Sequence, residues 1–253
     1  MNENIINSIY PMIFRRKSIR NYKSEKLSDD ILNELMEFWK STLDIFPEEP
    51  VSIELLSENQ VSSSFPISFN AKYYLSLCAN DNRKARVNVG FKAQQLDLLF
   101  SSKGLGSCWL YMVHPVKEHQ VFNGLPHSIS MSFGIPDEPL HREDISEFKR
   151  KNLSEITNCG KYDDILESVR IAPSSTNIQA WYFKQNDDSI EVYIKKPLRA
   201  VLLRPMVKLY DFDIGIALCH LYLAREESGR FNEFSVNIDS SIDNSDYILT
   251  VSM

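Results

Sequence analysis

Cysteine is scarce and scattered. The four in 253 residues, Cys78, Cys108, Cys159 and Cys219, make no C-x-x-C pair, so neither a disulfide framework nor a thiolate zinc or iron–sulfur site is signalled. The five histidines, His114, His119, His127, His141 and His220, form no H-x-H or H-E-x-x-H pattern, which leaves metal chemistry without a ligand set. No apolar run approaches the roughly 20 residues that span a bilayer, and residues 1–7 carry Glu3 with no basic stretch ahead of an apolar one; the expectation is a cytoplasmic protein without a membrane segment. An excess of positive charge is missing as well. Against 28 Lys and Arg stand 34 Asp and Glu, and a net charge of −6 argues against nucleic acid or an anionic membrane as the partner.

What the chain does hold is enough apolar residue, 43%, to bury a core in one large domain or two small ones. Its most telling stretch is residues 172–181, A-P-S-S-T-N-I-Q-A-W. The amphipathic run before it puts Ile165, Leu166, Val169 and Ala172 at helical spacing, so Pro173 falls where that helix stops. Ser174, Ser175, Thr176, Asn177 and Gln179 then offer hydroxyls and amides that both donate and accept, and apolar Trp181, Tyr182 and Phe183 follow at once. Such groups suit a neutral, flat, hydrogen-bonding ligand better than a metal or a phosphate. An ordinary helix-to-strand loop, with Ser and Asn capping locally, has the same composition.

Residues 14–22 read F-R-R-K-S-I-R-N-Y, with Arg15, Arg16, Lys17 and Arg20 crowded around Ser18. Forked guanidinium donors, a point charge and a short hydroxyl bond together suit a phosphate monoester; a solvated basic patch or a localisation signal reads the same way. Ser28 or Asp29 caps a helix that turns Ile31, Leu32, Leu35, Met36 and Trp39 inward. V-S-I-E-L-L from Val51 and residues 69–79 read as strands, and residues 88–103 as a helix with Val89, Ala93, Leu96 and Leu99 on one face. Gly104 stands where a helix C-terminus wants it. With Gly106 it frames G-L-G-S-C-W, which fits either a close backbone approach to a ligand or a plain cap and tight turn. Residues 128–133 read as a strand, and Lys149-Arg150-Lys151 forms a second basic cluster that composition alone assigns to a solvated helix end.

The pattern then begins again. D-D-I-L opens a helix at residue 29 and another at residue 163, and V-G-F-K-A-Q-Q-L-D-L-L-F-S-S-K-G from Val89 has a counterpart in I-G-I-A-L-C-H-L-Y-L-A-R-E-E-S-G from Ile214. Glycines open and close both, Gly90 and Gly104 matching Gly215 and Gly229, and a strand follows each, at 128–133 and at 247–251. The shared order points to an internal duplication, with residues 1–155 as the first half and 156–253 as the second.

R-K-S-I-R-N-Y, G-L-G-S-C-W, F-G-I-P-D-E-P followed by K-R-K, and A-P-S-S-T-N-I-Q-A-W together resemble the nitroreductase-like FMN flavoproteins, in particular a branch in which a duplicated chain stands in for the usual homodimer. The resemblance implies an α+β fold of mostly antiparallel sheets flanked by helices, with FMN between the halves. It implies that Arg16, Lys17, Ser18 and Arg20 grip the FMN phosphate and ribityl chain, that Lys149 and Arg150 complete the phosphate site, and that Cys108, Trp109 and Leu110 pass close to the reactive edge of the flavin. Pro173, Ser174, Ser175 and Asn177 match the loop that reaches the flavin from the other half, with Gln179 just past it.

The departure from the family's usual order is informative. The first half carries R-K-S-I-R but has T-L-D-I-F-P-E-E-P where its flavin loop belongs; the second keeps the loop but has N-C-G-K-Y where its basic motif belongs. The losses are complementary, so the expectation is one FMN per chain in a monomer that folds like a dimer. The implied activity is hydride transfer from NAD(P)H through FMN to an electron-poor acceptor, a nitroaromatic or quinone, in a ping-pong cycle with no side-chain nucleophile. The alternative is a flavin-binding or flavin-sensing protein without efficient turnover.

Overall fold

The structure, a computed structural model, describes residues 3–64, 70–195, 207–229, 236–237 and 247–253. The chain opens with helix α1 (Glu3–Ile9), then passes through the basic motif to α2 (Asp29–Ser41), where the Ser28 hydroxyl accepts the Ile31 backbone N–H at 3.4 Å as a helix cap should. Strands β1 (Val51–Ser57), β2 (Val61–Ser63) and β3 (Tyr73–Ala79) lead to the long helix α3 (Arg83–Ser102). After it come β4 (Gly106–Leu110), β5 (Val113–Pro115), β6 (Val121–Phe122) and β7 (Leu125–Gly134). The short α4 (Leu153–Ile156) and α5 (Asp163–Arg170) precede the hairpin β8 (Trp181–Gln185) and β9 (Ser189–Ile194). Helix α6 (Val207–Glu227) and strands β10 (Val236–Asn237) and β11 (Tyr247–Ser252) complete the described chain.

Both large sheets are antiparallel, and their topologies match. The first has the order β1-β3-β7-β4 and the second β8-β9-β11-β10, so each is built from two strands, a long helix and two further strands in the same spatial sequence. This is the mixed helix and antiparallel-sheet architecture expected above.

The two long helices meet at the centre and run in the same direction. Arg86 pairs with Asp211 at 2.9 Å near their starts, and Gln94 meets His220 at 3.4 Å further along. Between these contacts the matched glycines touch. A Cβ on Gly90 would lie 2.2 Å from the Phe212 carbonyl oxygen, and one on Gly215 would lie 2.0 Å from that of Val87. Only glycine lets these backbones come so close.

Several boundaries differ from the sequence reading, each for a physical reason. Helix α3 starts at Arg83 because the Asn82 side chain accepts the Ala85 N–H at 2.9 Å; apolar periodicity, which begins only at Val87, missed that charged first turn. The helix is also not one-faced, since every residue from Val87 to Ser101 is buried, with α6 on one side and the first sheet and the 42–46 loop on others. Helix α6 likewise begins before Ile214, at Val207. Strand β3 starts at Tyr73; Phe69, where the expected strand began, lies outside the described residues. Gly106 lies in β4 and not in a turn. A Cβ there would meet the Ile19 side chain at 2.7 Å, so it is the seat on which the basic motif packs. Among the described residues no helix is long and apolar enough to cross a membrane.

Candidate functional site

The middle of residues 15–22 lies beside β4, and its ends pair with His141 and Pro136. Ser18 pairs with Ser107, and the Ile19 N–H donates to the Ser107 carbonyl at 2.9 Å. Glu138 fixes the other side of the motif by accepting the backbone N–H groups of Arg20 at 3.0 Å and Asn21 at 3.2 Å. Burial works to raise the Glu138 carboxyl, but these two donors, with Lys17 and Arg20 nearby, leave it below the usual range.

The cations then divide. The Arg16 side chain is 3% exposed and sits against the fully buried Asp97, Nε to Oδ2 at 3.0 Å, while its Nη2 reaches Ser18 Oγ at 3.5 Å. Asp97 also accepts from Ser107 Oγ at 2.5 Å and from Gln94 Nε2 at 3.0 Å, and Gln94 in turn accepts from the Trp109 indole at 3.3 Å. Arg142 donates to the Arg16 carbonyl and stacks over Phe148 at 4.1 Å. Arg150 donates to the Ala172 carbonyl at 3.1 Å and to Asn177 Oδ1 at 2.6 Å. Burial, then the charges of Arg142, Arg16 and Arg170, bring its guanidinium down to about 10. Three guanidiniums, those of Arg16, Arg142 and Arg150, thus feel one another, and among the described residues neither Arg142 nor Arg150 has a carboxylate within ion-pair reach. The second basic cluster is therefore not a solvated helix end.

The 173–179 loop is tied to that cluster. Asn177 donates to the Lys149 carbonyl at 2.8 Å; Gln179 accepts the Lys151 N–H at 2.8 Å, and its own carbonyl accepts Lys151 Nζ at the same distance. Thr176, Asn177 and Gln179 all have left-handed backbones, with φ of 50°, 60° and 51°. For a β-branched residue such as Thr176 that is a costly conformation, of the kind held in place only where surrounding bonds dictate it.

A cavity of about 620 Å³ opens between these parts. Ser18 and Arg20 line it from the basic motif, Cys108, Trp109 and Leu110 from β4, Pro173, Ser174, Ser175 and Thr176 from the loop, and Leu209, Phe212, Asp213 and Ile216 from α6. Its volume falls within the roughly 300–1,000 Å³ of small-molecule sites. Of the residues singled out from sequence, Ser18, Arg20, Cys108, Trp109, Leu110, Pro173, Ser174 and Ser175 are on its wall. Arg16, Lys17, Lys149, Arg150, Asn177 and Gln179 are not. Arg16 and Arg150 are one bond removed, through Ser18 and through the Ala172 carbonyl next to Pro173; Gln179 is 3% exposed and ties the loop to Lys151. Cys108 is buried, which pushes its thiol up although Arg20 and Arg16 pull the other way, so it is a wall and not a nucleophile.

The family model described as "Putative TM nitroreductase" matches residues 8–225. The chain belongs to that family. Among solved structures, a "putative nitroreductase" from Thermotoga maritima MSB8 is similar with a TM-score of 0.65 at 20% identity, over 96% of this chain and 93% of its own. A nitroreductase family protein from Clostridium difficile 630 is 15% identical with a TM-score of 0.46, over 61% of this chain and 96% of its own. An FMN-dependent nitroreductase from Clostridium difficile R20291 is 18% identical with a TM-score of 0.42, over 56% and 96%. No curated protein matches the chain. Nitroreductase-family membership places the chain among oxidoreductases and accords with the α+β fold found.

Three site residues of this nitroreductase-family chain escape a sequence reading. Asp97 is the one acid of α3 and Asp213 stands two residues after Asp211 in α6, and no motif marks either; burial of their positions between the two helices is the only signal, and it needs the fold. Arg142 is similarly isolated. Asp213 is 2% exposed; its Oδ1 accepts both the Ser175 N–H at 2.9 Å and the Ser175 hydroxyl at 3.1 Å, which seats the loop on α6. Burial, against those two bonds and with help from Asp211, pushes its carboxyl up to about 7.

Proposed function

We propose that the cavity holds FMN and that the chain is an NAD(P)H-dependent oxidoreductase of nitroreductase type acting on an electron-poor acceptor, a quinone or a nitroaromatic. The observation that carries this reading is the single cavity shared by the basic motif, β4 and the 173–176 loop. The residues present suit the cofactor. Guanidiniums crowd at one side, where among the described residues only Arg16 has a carboxylate, Asp97, within ion-pair distance, a setting that suits a phosphate, and the wall of Trp109, Leu110, Pro173 and Phe212 suits a flat ring. Arg16, Ser18, Arg20 and Arg150 would hold the phosphate and ribityl chain, with Lys17 and Lys149 adding charge. Residues 108–110 and Ser174 and Ser175 would border the ring.

FMN, if bound there, would supply the redox chemistry of hydride transfer between NAD(P)H and the acceptor in a ping-pong cycle. The chain's own work is binding, orientation and exclusion of water. Seating of Ser175 by Asp213, and of Asn177 by Arg150 and the Lys149 carbonyl, fixes the loop before any ligand arrives, so little ordering remains to be done on binding.

We further infer that the two halves are duplicates and that the chain holds one FMN. Asn88 and Asp213 each stand two residues before the touching glycines, and each holds the loop that follows the helix leading into its half. In the first half the grip is complete. Asn88 Oδ1 accepts the Ile45 N–H at 2.9 Å, its Nδ2 spreads across Asp44, Phe46 and Glu49, Lys92 binds Asp44 at 2.7 Å, and Gln95 bonds both backbone groups of Leu43. What remains there is about 170 Å³, lined among the described residues by Leu43, Asp44, Ile45, Phe91, Tyr222 and Val236 with no cation among them, and is too small for a flavin. The absorption spectrum of freshly purified protein, with released flavin counted per polypeptide, tests the reading; a flavin-free protein that takes up no added FMN, or two flavins per chain, contradicts it. Anaerobic addition of NADH or NADPH then bleaches a reductase within turnovers and leaves a mere flavin binder yellow.

A further inference from the structure

Trp109 is half-buried on the cavity wall, and its one polar atom is spent behind that wall. Side chains alternate along β4, so that Cys108 and Leu110 pack with Ile19, Tyr22 and Val113 while Trp109 joins the larger core on the α3 side. There its indole Nε1–H donates to Gln94 Oε1 at 3.3 Å. Gln94 is fully buried and is not among the residues that line the cavity.

Chemistry leaves the Gln94 amide one orientation. An indole N–H only donates, so the amide oxygen must face it. The amide nitrogen then lies 3.0 Å from Asp97 Oδ2, an acceptor shared with Arg16, and 3.4 Å from His220 Nε2. With one amide proton for each, His220 Nε2 must be the bare nitrogen of its ring. The ring proton therefore sits on Nδ1, where the Ser168 carbonyl accepts it at 2.9 Å. Burial, which lowers His220 to about 3, keeps that ring neutral. Partners from β4, α3 and α6 thus hold a single amide, and turning it would leave buried donors and acceptors unmatched.

We propose that Gln94 is a positioning residue for the cavity: it fixes the Trp109 indole with the N–H consumed inside the protein, so that this wall offers a ligand ring surface and no hydrogen-bond donor, and selects a flat conjugated ring. The proposal rests on the FMN reading above, in which that ring is the isoalloxazine.

The test is a double-variant cycle, read by fluorimetric titration of flavin-stripped full-length protein with FMN. Gln94→Leu should weaken FMN about three- to tenfold, the scale of one buried hydrogen bond. Trp109→Phe keeps a flat ring and has no N–H to place, so in that background Gln94→Leu should change affinity by less than about twofold. A glutamine that only supports the fold costs the same factor in both backgrounds, and equal losses overturn the proposal. A second readout needs no Gln94 variant. In proton–nitrogen correlation spectra of the wild type, the indole signal absent from Trp109→Phe should exchange slowly with solvent before FMN is added. An indole N–H that exchanges like a free one, or that gains protection only with FMN, overturns the proposal even where Gln94→Leu does not fold. Wild-type protein that takes up no FMN removes the FMN reading and this proposal together, whereas FMN binding with equal losses removes this proposal alone.

Discussion

Alanine at Gly215 tests the seam on which the whole site depends. Its new Cβ would lie 2.0 Å from the Val87 carbonyl oxygen and 2.7 Å from the Phe91 nitrogen, and both are backbone atoms in the middle of a buried helix that no rotamer change can move. The helices must therefore part by more than an ångström along their tightest contact. Overpacking by one methyl costs about 1–3 kcal/mol, and a clash with backbone belongs at or above the top of that range. Alanine recovers about 1 kcal/mol of helix propensity over glycine. The net loss is about 2 kcal/mol, or roughly 4–8 °C in thermal midpoint for a chain of this size. Since Phe212, Asp213 and Ile216 flank the glycine and line the cavity, FMN affinity should fall with stability. Circular dichroism melts and a flavin titration on Gly215→Ala measure both. The double variant with Gly90→Ala should cost less than the sum of the singles, because Gly90 Cα is itself 2.9 Å from the added methyl and one separation accommodates both. A Gly215→Ala protein that melts at or above the wild-type midpoint refutes the close-packed seam.

Arg16 and Arg20 should separate in their effects although both belong to the basic motif. Arg16→Ala leaves buried Asp97 unpaired and should cost about 3–5 kcal/mol in urea unfolding, while Arg20→Ala should barely change stability and weaken FMN roughly 10- to 100-fold by fluorescence titration. Burial lowers His220 to about 3, with the Ser168 carbonyl bond opposing and Arg16 and Arg150 adding to the fall. Because the unfolded chain takes up that proton near pH 6.5 and the folded one does not, stability should decline as pH falls from 6.5 towards 3, and His220→Gln should flatten the decline in denaturant titrations across that window. Cys159 is exposed, while Cys78, Cys108 and Cys219 are buried with thiols raised by burial; iodoacetamide on native protein at neutral pH should label Cys159 alone by mass spectrometry. Asp213 is raised in the fold, so its stabilising share is full below about pH 4 and is lost as pH rises through 7. Asp213→Asn should therefore match wild type near pH 4 in melts and exceed it increasingly towards pH 7, with no further gain above; equal midpoints at pH 8 would contradict the buried, unpaired oxygen.

Much of the fold and the candidate site was legible because each relevant segment is local. The Ser28 cap, the stop at Pro173, the Gly104 helix end and the alternating strands are decided within a few residues, and the basic motif and the Ser/Asn loop stand out by composition. Pairing the loop with the motif required the repeat, and the repeat was visible because glycines mark it. What could not be read is held by contacts across the chain. The first turn of α3 has no apolar residue before Ala85 and depends on the Asn82 side chain. Arg16 looked like a ligand-facing cation, yet its first partner is Asp97, eighty-odd residues away and on a helix whose apolar periodicity suggested one buried face and a polar one. Gln179 looked like part of a ligand loop, and the structure gives it to Lys151.

Asn88 and Asp213 hold their loops in different ways, which composition alone does not reveal. An amide has a donor and an acceptor, so at the second residue before the glycine it can accept from its loop with one arm and donate into it with the other, and the loop closes over the space beneath. A carboxyl in the same place has two acceptors. It accepts from Ser175 twice with one oxygen, and the other finds no donor among the described residues. Lys92 and Gln95 on α3 add two more fastenings to the first loop, whereas α6 presents Ala217 and His220 two and five residues past its glycine, the one unable to bond and the other turned to the Ser168 carbonyl at 2.9 Å. The open cavity is thus bordered by side chains on the helices beneath the loops as well as by the loops.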